Sequence, residues 1–255
     1  MNGIPYPPLR LRKSVGPIED SYYDNPSGCL VFEPEVPVAN YRSIFDFGCG
    51  CSRVARQLLL QSEVAVGSYL GVDLFSESVQ WAQQNLSPAN PAFQFQHHDV
   101  YNAQFNPSSK REFDVIKSAD EQFSLVTAQS VFTHIIERNI ENYLSECSRI
   151  LMRDGIFRST WFLFDKAGFP MMQESQNCLY INVDDTSNAT IYDYNHVRSM
   201  FKKHGLTIFS IIPPSVRGFQ WVLFAKPAAK EVPEADFPDD VAPLGLCRPP
   251  ENIVE

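Results

Sequence analysis

From residue 43 to about residue 164 strand-like and helix-like patterns alternate, the signature of a parallel sheet joined by crossover helices. Residues 43–47 form a short apolar run closed by a glycine-rich turn, after which Val54, Leu58 and Leu59 recur at helical spacing. Residues 69–73 give a second strand, and Ser76 is expected to cap a helix carrying Val79, Ala82 and Leu86 on one face. Third and fourth strands are predicted at 93–97 and 123–129. Ile136, Ile140, Tyr143, Leu144, Cys147, Ile150 and Leu151 then make one continuous helical stripe, which Gly155 is expected to end before a fifth strand at 156–164.

Residues 165–194 interrupt the alternation. Within them 178–183 and 189–194 flank a plausible hairpin turn, so the segment reads as a small cap over the sheet. A helix through Val197, Met200, Phe201 and His204 follows, and then two strands at 206–212 and 218–225 with Pro213-Pro214 between them. That gap has no room for a crossover helix, so the last two strands must be antiparallel. The expected organisation is a leader at 1–42, a core domain at 43–226 with the insertion at 165–194, and an acidic, proline-rich tail at 227–255, mobile or loosely docked.

Composition limits the partners. Thirty acidic residues against twenty-one basic ones give a formal net charge of -9, with seven acids and two bases in the tail alone. A chain so acidic lacks the cationic excess that draws proteins to phosphate backbones or anionic lipid, so neither nucleic acid nor a membrane is expected as a partner. The opening MNGIPYPPLRLRKSVGP has no apolar signal core, and no uncharged run approaches bilayer length, so the expected location is cytoplasmic. Six scattered cysteines read as free thiols, and Cys49 and Cys51 lack the second cluster that a metal site needs, so no metal is expected.

In an open α/β sheet ligands bind beyond the carboxyl ends of the strands, where strand order reverses. The first such end is Asp46-Phe47-Gly48-Cys49-Gly50-Cys51-Ser52-Arg53. A dinucleotide fingerprint needs a small residue where Arg53 stands, and Asp46 would repel a pyrophosphate at short range. An NAD(P)-dependent oxidoreductase is therefore disfavoured. A nucleoside carrying an amino-acid ammonium and a sulfonium suits the turn better.

Residues Ser43-Ile44-Phe45-Asp46-Phe47-Gly48-Cys49-Gly50, Gly71-Val72-Asp73, His98-Asp99-Val100, Phe123-Ser124-Leu125-Val126 and Leu151-Met152-Arg153-Asp154-Gly155, in this order at successive strand ends, resemble the class I S-adenosylmethionine-dependent methyltransferases. The resemblance implies a Rossmann-like, doubly wound, seven-stranded, mostly parallel sheet in the order 3-2-1-4-5-7-6, with the last strand antiparallel. It implies S-adenosyl-L-methionine as cofactor. Gly48 and Gly50, with Cys49 between them, would lie against its methionyl part, and Asp46 would order the loop and its ammonium-side contacts. Asp73 would take both ribose hydroxyls, and Leu74 or Phe75 would pack beside the adenine. Asp99 would accept from the adenine amino group, Val100 would donate a backbone N–H nearby, and Gln129 would face the methionyl group or the reacting methyl.

The leader around Pro7–Gly16 resembles that of a methyltransferase subgroup and implies a lid, with Tyr22 and Tyr23 as contacts. Ser52 replaces a glycine frequent in the family, and Ser124 replaces an aspartate. His134 is the candidate base for a hydroxyl acceptor, against the plainer reading of a capping residue at a helix start, and His98 reads as exposed. The expected acceptor is a small molecule or glycan-like compound methylated on oxygen. The alternative is a regulatory protein that binds the cofactor without turnover.

Overall fold

A computed structural model describes residues 3–32, 34–182, 184–215 and 219–237. They form two compact units, Met1–Ala128 with Ile150–Ile156, and Gln129–Arg149 with Phe157–Glu255.

The first unit begins with a short helix, α1 (Leu9–Val15), and is built on β1 (Ser43–Phe47), α2 (Arg53–Leu60), β2 (Ser68–Asp73), α3 (Ser76–Asn85), β3 (Phe93–His97) and β4 (Phe123–Ala128). β1 pairs in parallel with β2, from Ser43↔Ser68 to Phe47↔Val72, and with β4, from Ile44↔Leu125 to Asp46↔Thr127. β2 pairs in parallel with β3, from Tyr69↔Phe93 to Asp73↔His97. Parallel pairing in these registers brings the carboxyl ends of all four strands to one edge, and the order β3-β2-β1-β4 reverses direction at β1. Every residue of β4 is buried, as a strand covered on both faces requires. Ser124 ties this strand to the start of β1: its Oγ donates to the Asn40 carbonyl at 2.9 Å and accepts from Ser43 N–H at 3.0 Å. The hydroxyl that stands in place of an aspartate is thus a buried staple.

The leader is fastened to this unit by two buried guanidinium groups. Arg12 donates to the Pro7 and Ile18 carbonyls and pairs with Asp20. Arg56, on α2, donates to the Tyr23 and Ile4 carbonyls, pairs with Asp24 at 2.6 Å and lies 3.8 Å from the centre of the Tyr6 ring. Tyr23 is fully buried and packs with Leu11 and Cys51, whereas Tyr22 is exposed.

The second unit contains α4 (Glu137–Ile150), whose stripe of Ile140, Tyr143, Leu144, Cys147 and Ile150 is buried as the spacing predicts. β5 (Leu151–Phe164) follows without an intervening turn, its first residues belonging to the first unit. Here the sequence expectation is corrected. Gly155 lies inside β5 and not at a helix end, and Leu151 leaves the helical stripe to start the strand.

β6 (Cys178–Tyr180) and β7 (Thr190–Asp193) form the expected hairpin, and β7 pairs in parallel with β5 from Phe162↔Ile191 to Phe164↔Asp193. These two strands of the insertion lie in the plane of the sheet. α5 (Tyr194–Lys203), β8 (Thr207–Ile212) and β9 (Trp221–Lys226) complete the unit. β9 runs antiparallel to both β5 and β8, so the seven expected strands keep the order 3-2-1-4-5-7-6 when β8 and β9 are counted sixth and seventh.

The start of the tail is docked. Arg198 on α5 pairs with Glu231 and Glu234, Val232 N–H donates to the Ile208 carbonyl, and Phe237 stacks on Tyr194 with 5.3 Å between ring centres. The remainder of the tail, 238–255, lies outside the described residues. Among the described residues no helix is long and apolar enough to cross a membrane.

Candidate active site

The turn after β1 is bent by two glycines with positive φ, Gly48 at 72° and Gly50 at 54°. Gly48 N–H and Cys49 N–H both donate to the Val72 carbonyl, at 2.8 and 3.0 Å, which seats the turn against β2. Gly50 N–H donates to Asp73 Oδ2 at 2.7 Å, and Phe75 N–H to Asp73 Oδ1 at 2.8 Å. One carboxylate thus links the glycine turn to the N-terminus of α3. Ser76 is the first residue of that helix and makes no cap, so the capping expected of it passes to the backbone around Phe75 and to Asp73. Burial raises the Asp73 pKa, and the Phe75 and Gly50 N–H groups oppose that rise.

Asp46 is 1% exposed, and its Oδ2 accepts from the Tyr69 hydroxyl at 2.5 Å. Tyr69 is itself buried in β2, stacked on Phe93, and burial first and the Asp46 charge second push its pKa upward. Gly71, the register partner of Asp46, has no room for a side chain: a Cβ there would come within 3.0 Å of the Tyr69 and Phe95 rings and 3.1 Å of Cys49 Cβ. Cys49 is buried, and its thiol is raised well above the usual range by that burial. Above Gly50 sits the leader, with Val15 Cγ1 3.4 Å from where a Cβ would stand.

Leu74 and Phe75 are half-buried; the Leu74 carbonyl accepts from His97 Nε2 at 3.0 Å, and the Phe75 ring lies 6.1 Å from that of Phe105. Asp99 is exposed just beyond β3, where Asn106 Nδ2 donates to its Oδ1 at 3.0 Å, and hydrogen bonds from Asn106 and then Ser109 lower its pKa. Val100 is buried, and its N–H donates to the His98 carbonyl at 2.9 Å. Val72, Gln96, His98, Asp99, Asp114 and Lys117 line a cleft beside these residues. His98 is not exposed as the sequence suggested. It is half-buried with its ring edge-on to Phe47, and burial lowers its pKa to about 4.

Gln129 and His134 belong to the second unit. Gln129 stands just past the end of β4, and its Oε1 accepts from Arg158 Nη1 at 2.7 Å. His134 is exposed, lies in a turn three residues before α4, and its Nδ1 is 3.0 Å from the Ser187 carbonyl. Among the described residues no group of three or more His, Cys, Asp or Glu is placed to hold a metal ion.

Residues 44–155, which contain the glycine turn, Asp73 and Asp99, match the family described as methyltransferase domain. S-adenosylmethionine is the cofactor of that family. Solved structures share the fold at low identity. The O-methyltransferase of a trans-AT PKS multienzyme of Brevibacillus brevis, in complex with S-adenosyl-L-homocysteine, is 12% identical with a TM-score of 0.51, and the match covers 70% of this chain and 50% of that one. A chain of the Haloferax volcanii complex containing the Trm112 methyltransferase activator is 17% identical with a TM-score of 0.50, covering 76% and 85%. A Listeria monocytogenes protein provisionally described as an S-adenosylmethionine-dependent methyltransferase is 15% identical with a TM-score of 0.50, covering 76% and 94%. The chain thus spans half the length of the Brevibacillus enzyme it matches.

The matched residues also include groups that the sequence pattern does not assign to the site. Tyr69 reads as an ordinary strand residue and His98 as an exposed one, and only the parallel register brings the first to Asp46 and the second to Phe47. Ser52 was visible as a departure from the family glycine. In the structure it is fully buried, left-handed at φ 66°, and its Oγ has no hydrogen-bond partner among the described residues.

Proposed function

We propose that this chain is a cytoplasmic methyltransferase that moves the sulfonium methyl of S-adenosylmethionine to oxygen on a small-molecule or glycan-like acceptor. The observation that carries the reading is the single carboxylate of Asp73 at the end of β2, with each oxygen held by one backbone N–H, one of them from the glycine turn. A fixed carboxylate with lone pairs to spare is a bidentate acceptor suited to two neighbouring hydroxyls. Buried Asp46 beneath the turn and the unpartnered Ser52 hydroxyl at its far side add polar groups matched to an amino-acid moiety.

When bound, the cofactor supplies an activated methyl on a good leaving group. The work left to the chain is orientation. Asp73 holds the ribose, Leu74 and Phe75 flank the adenine, and Asp99 takes its amino group, with Val100 beside it. Gly48, Cys49 and Gly50 let the methionyl part approach the backbone, with Gln129 facing it. Holding the acceptor about 3–3.5 Å from the methyl, in line with the breaking bond, supplies much of the rate. His134 takes the hydroxyl proton in this scheme; its exposure and its single backbone tether leave the ring free to turn toward an acceptor.

The net charge of -9 favours a small acceptor over a nucleic acid. Calorimetry with S-adenosylmethionine and with NAD, followed by release of S-adenosylhomocysteine across a panel of hydroxyl acceptors, tests the reading. Binding and turnover are expected with the first cofactor alone, and His134→Gln is expected to lower kcat on hydroxyl acceptors by about 10²-fold or more. Binding without turnover on any acceptor would favour the regulatory alternative, and binding of NAD alone would reject both.

A further inference from the structure

β5 sends Arg158 and Thr160 to one face of the sheet, while Phe157 and Trp161 are buried on the other in an aromatic cluster with Phe132 and Phe201. Both polar residues reach the turn that follows β4. Arg158 Nη1 donates to Gln129 Oε1 at 2.7 Å, and Ser130 N–H donates to Thr160 Oγ1 at 2.7 Å. Ser130 Oγ lies 3.1 Å from Gln220 Oε1 and 3.0 Å from Gln220 Nε2, at the start of β9. Ser130 itself is left-handed at φ 57°, a conformation costly for a residue with a Cβ, and these bonds hold it there. Gln129 is therefore fixed twice, through the backbone that follows it and through its side-chain oxygen.

A guanidinium carries only donors, so an amide that meets it must offer its oxygen. The amide nitrogen is then the end turned away from Arg158. Gln129 Nε2 makes no hydrogen bond among the described residues and is open to solvent, unlike the enclosed hydroxyls of Ser52 and Thr133. We infer that Gln129 determines acceptor specificity by donating to a carbonyl oxygen, of a ketone or a carboxylate, beside the hydroxyl that is methylated. Arg158 is the positioning residue that aims it. This rests on the reading that the chain methylates a hydroxyl with S-adenosylmethionine. The N–H pair carries partial positive charge, which a sulfonium methyl repels. Donated to the attacking oxygen, it would occupy a lone pair that attack requires. The partner left for it is a second oxygen that only accepts, which a carbonyl or an ionised carboxylate provides.

The test measures release of S-adenosylhomocysteine by the full chain with two matched pairs of acceptors, salicylate against phenol and hydroxyacetone against 1-propanol. Each pair keeps a hydroxyl and removes the neighbouring carbonyl, which is charged in the first pair and neutral in the second. Wild type is expected to favour the carbonyl member of one pair by about tenfold or more in kcat/KM, the effect of one hydrogen bond that the analogue lacks. Gln129→Met keeps the length without the N–H and is expected to bring that ratio to within about twofold of unity. Gln129→Glu keeps the bond to Arg158 but replaces the N–H with an oxygen; it is expected to abolish the preference too, and serves if the Met variant fails to fold. Arg158→Met lets the amide turn and is expected to raise KM for the carbonyl member by about fivefold or more with a smaller change in kcat. Arg158→Lys restores a donor to Gln129 Oε1 and is expected to recover part of the preference, whereas a merely structural arginine would lower rates on both members alike. Calorimetry with S-adenosylhomocysteine reports that each variant is folded. If wild type binds S-adenosylhomocysteine but shows no carbonyl preference, or turns over none of the four compounds, the role of Gln129 is overturned while the cofactor reading stands. A preference that survives in Gln129→Met and Gln129→Glu overturns it equally. If wild type binds neither S-adenosylmethionine nor S-adenosylhomocysteine, both fall together.

Discussion

His98 gives the fold a built-in sensitivity to acid whose size follows from its surroundings. The imidazole is half-buried at the end of β3 against Phe47, and burial takes its pKa from 6.5 to about 4, with Asp114 opposing and His97 adding to the fall. In the unfolded chain the ring takes up a proton below pH 6.5, but the folded protein refuses it until about pH 4. The unfolded state therefore binds more protons throughout that window, and stability is lost as pH falls through it. Between pH 7.5 and pH 5.0 the two pKa values translate into a loss of about 2 kcal/mol from this one residue. Urea denaturation of wild type and His98→Gln at both pH values measures it. His196 and His204 are also lowered by burial, but they are common to both proteins and cancel in the comparison. His98→Gln is expected to lose about 2 kcal/mol less than wild type on acidification, whatever its stability at pH 7.5. An equal loss in the two proteins would refute the buried, neutral imidazole.

Asp73→Ala is expected to weaken binding of S-adenosylmethionine by tenfold or more and, by leaving the Gly50 and Phe75 N–H groups without their acceptor, to cost about 1–3 kcal/mol of stability, both read by calorimetry and denaturation. Because the Asp73 pKa is raised, wild-type cofactor affinity should begin to fall on acidification above the ordinary carboxylate range of about 4, and that inflection should vanish in Asp73→Asn. Arg56→Gln removes the tie to Asp24 and to the Tyr23 and Ile4 carbonyls, so trypsin should cut at Arg10, Arg12 or Lys13 several times faster than in wild type, and an unchanged digestion rate would argue against the anchoring role.

The parts of this molecule legible in its sequence are those encoded by local periodicity. β1 and β3 occupy the residues that the apolar runs marked, and the α4 stripe is buried along its length. Gly155 misled because glycine after a helical stripe usually marks its end, whereas here the chain turns directly from Ile150 into a strand and the glycine serves close packing, a Cβ at that position meeting Leu151 Cδ1 at 2.6 Å. The hairpin of β6 and β7 was readable, but its lateral pairing with β5 is a register between distant residues that no local pattern states. The same holds at the site. Asp73 announced itself by standing at a strand end, while the burial of His98, the Tyr69 bond to Asp46 and the left-handed turn at Ser52 arise only when the strands are laid side by side.

The leader bears on how this chain tolerates trimming. Its Leu11 and Tyr23 share an apolar nest with Cys51, and Tyr6 is clasped by the guanidinium of Arg56. A version starting at residue 43 would bare what is left of that nest beside the glycine turn, an apolar surface that seeks company. The first forty-two residues are therefore better regarded as masonry of the domain than as its porch.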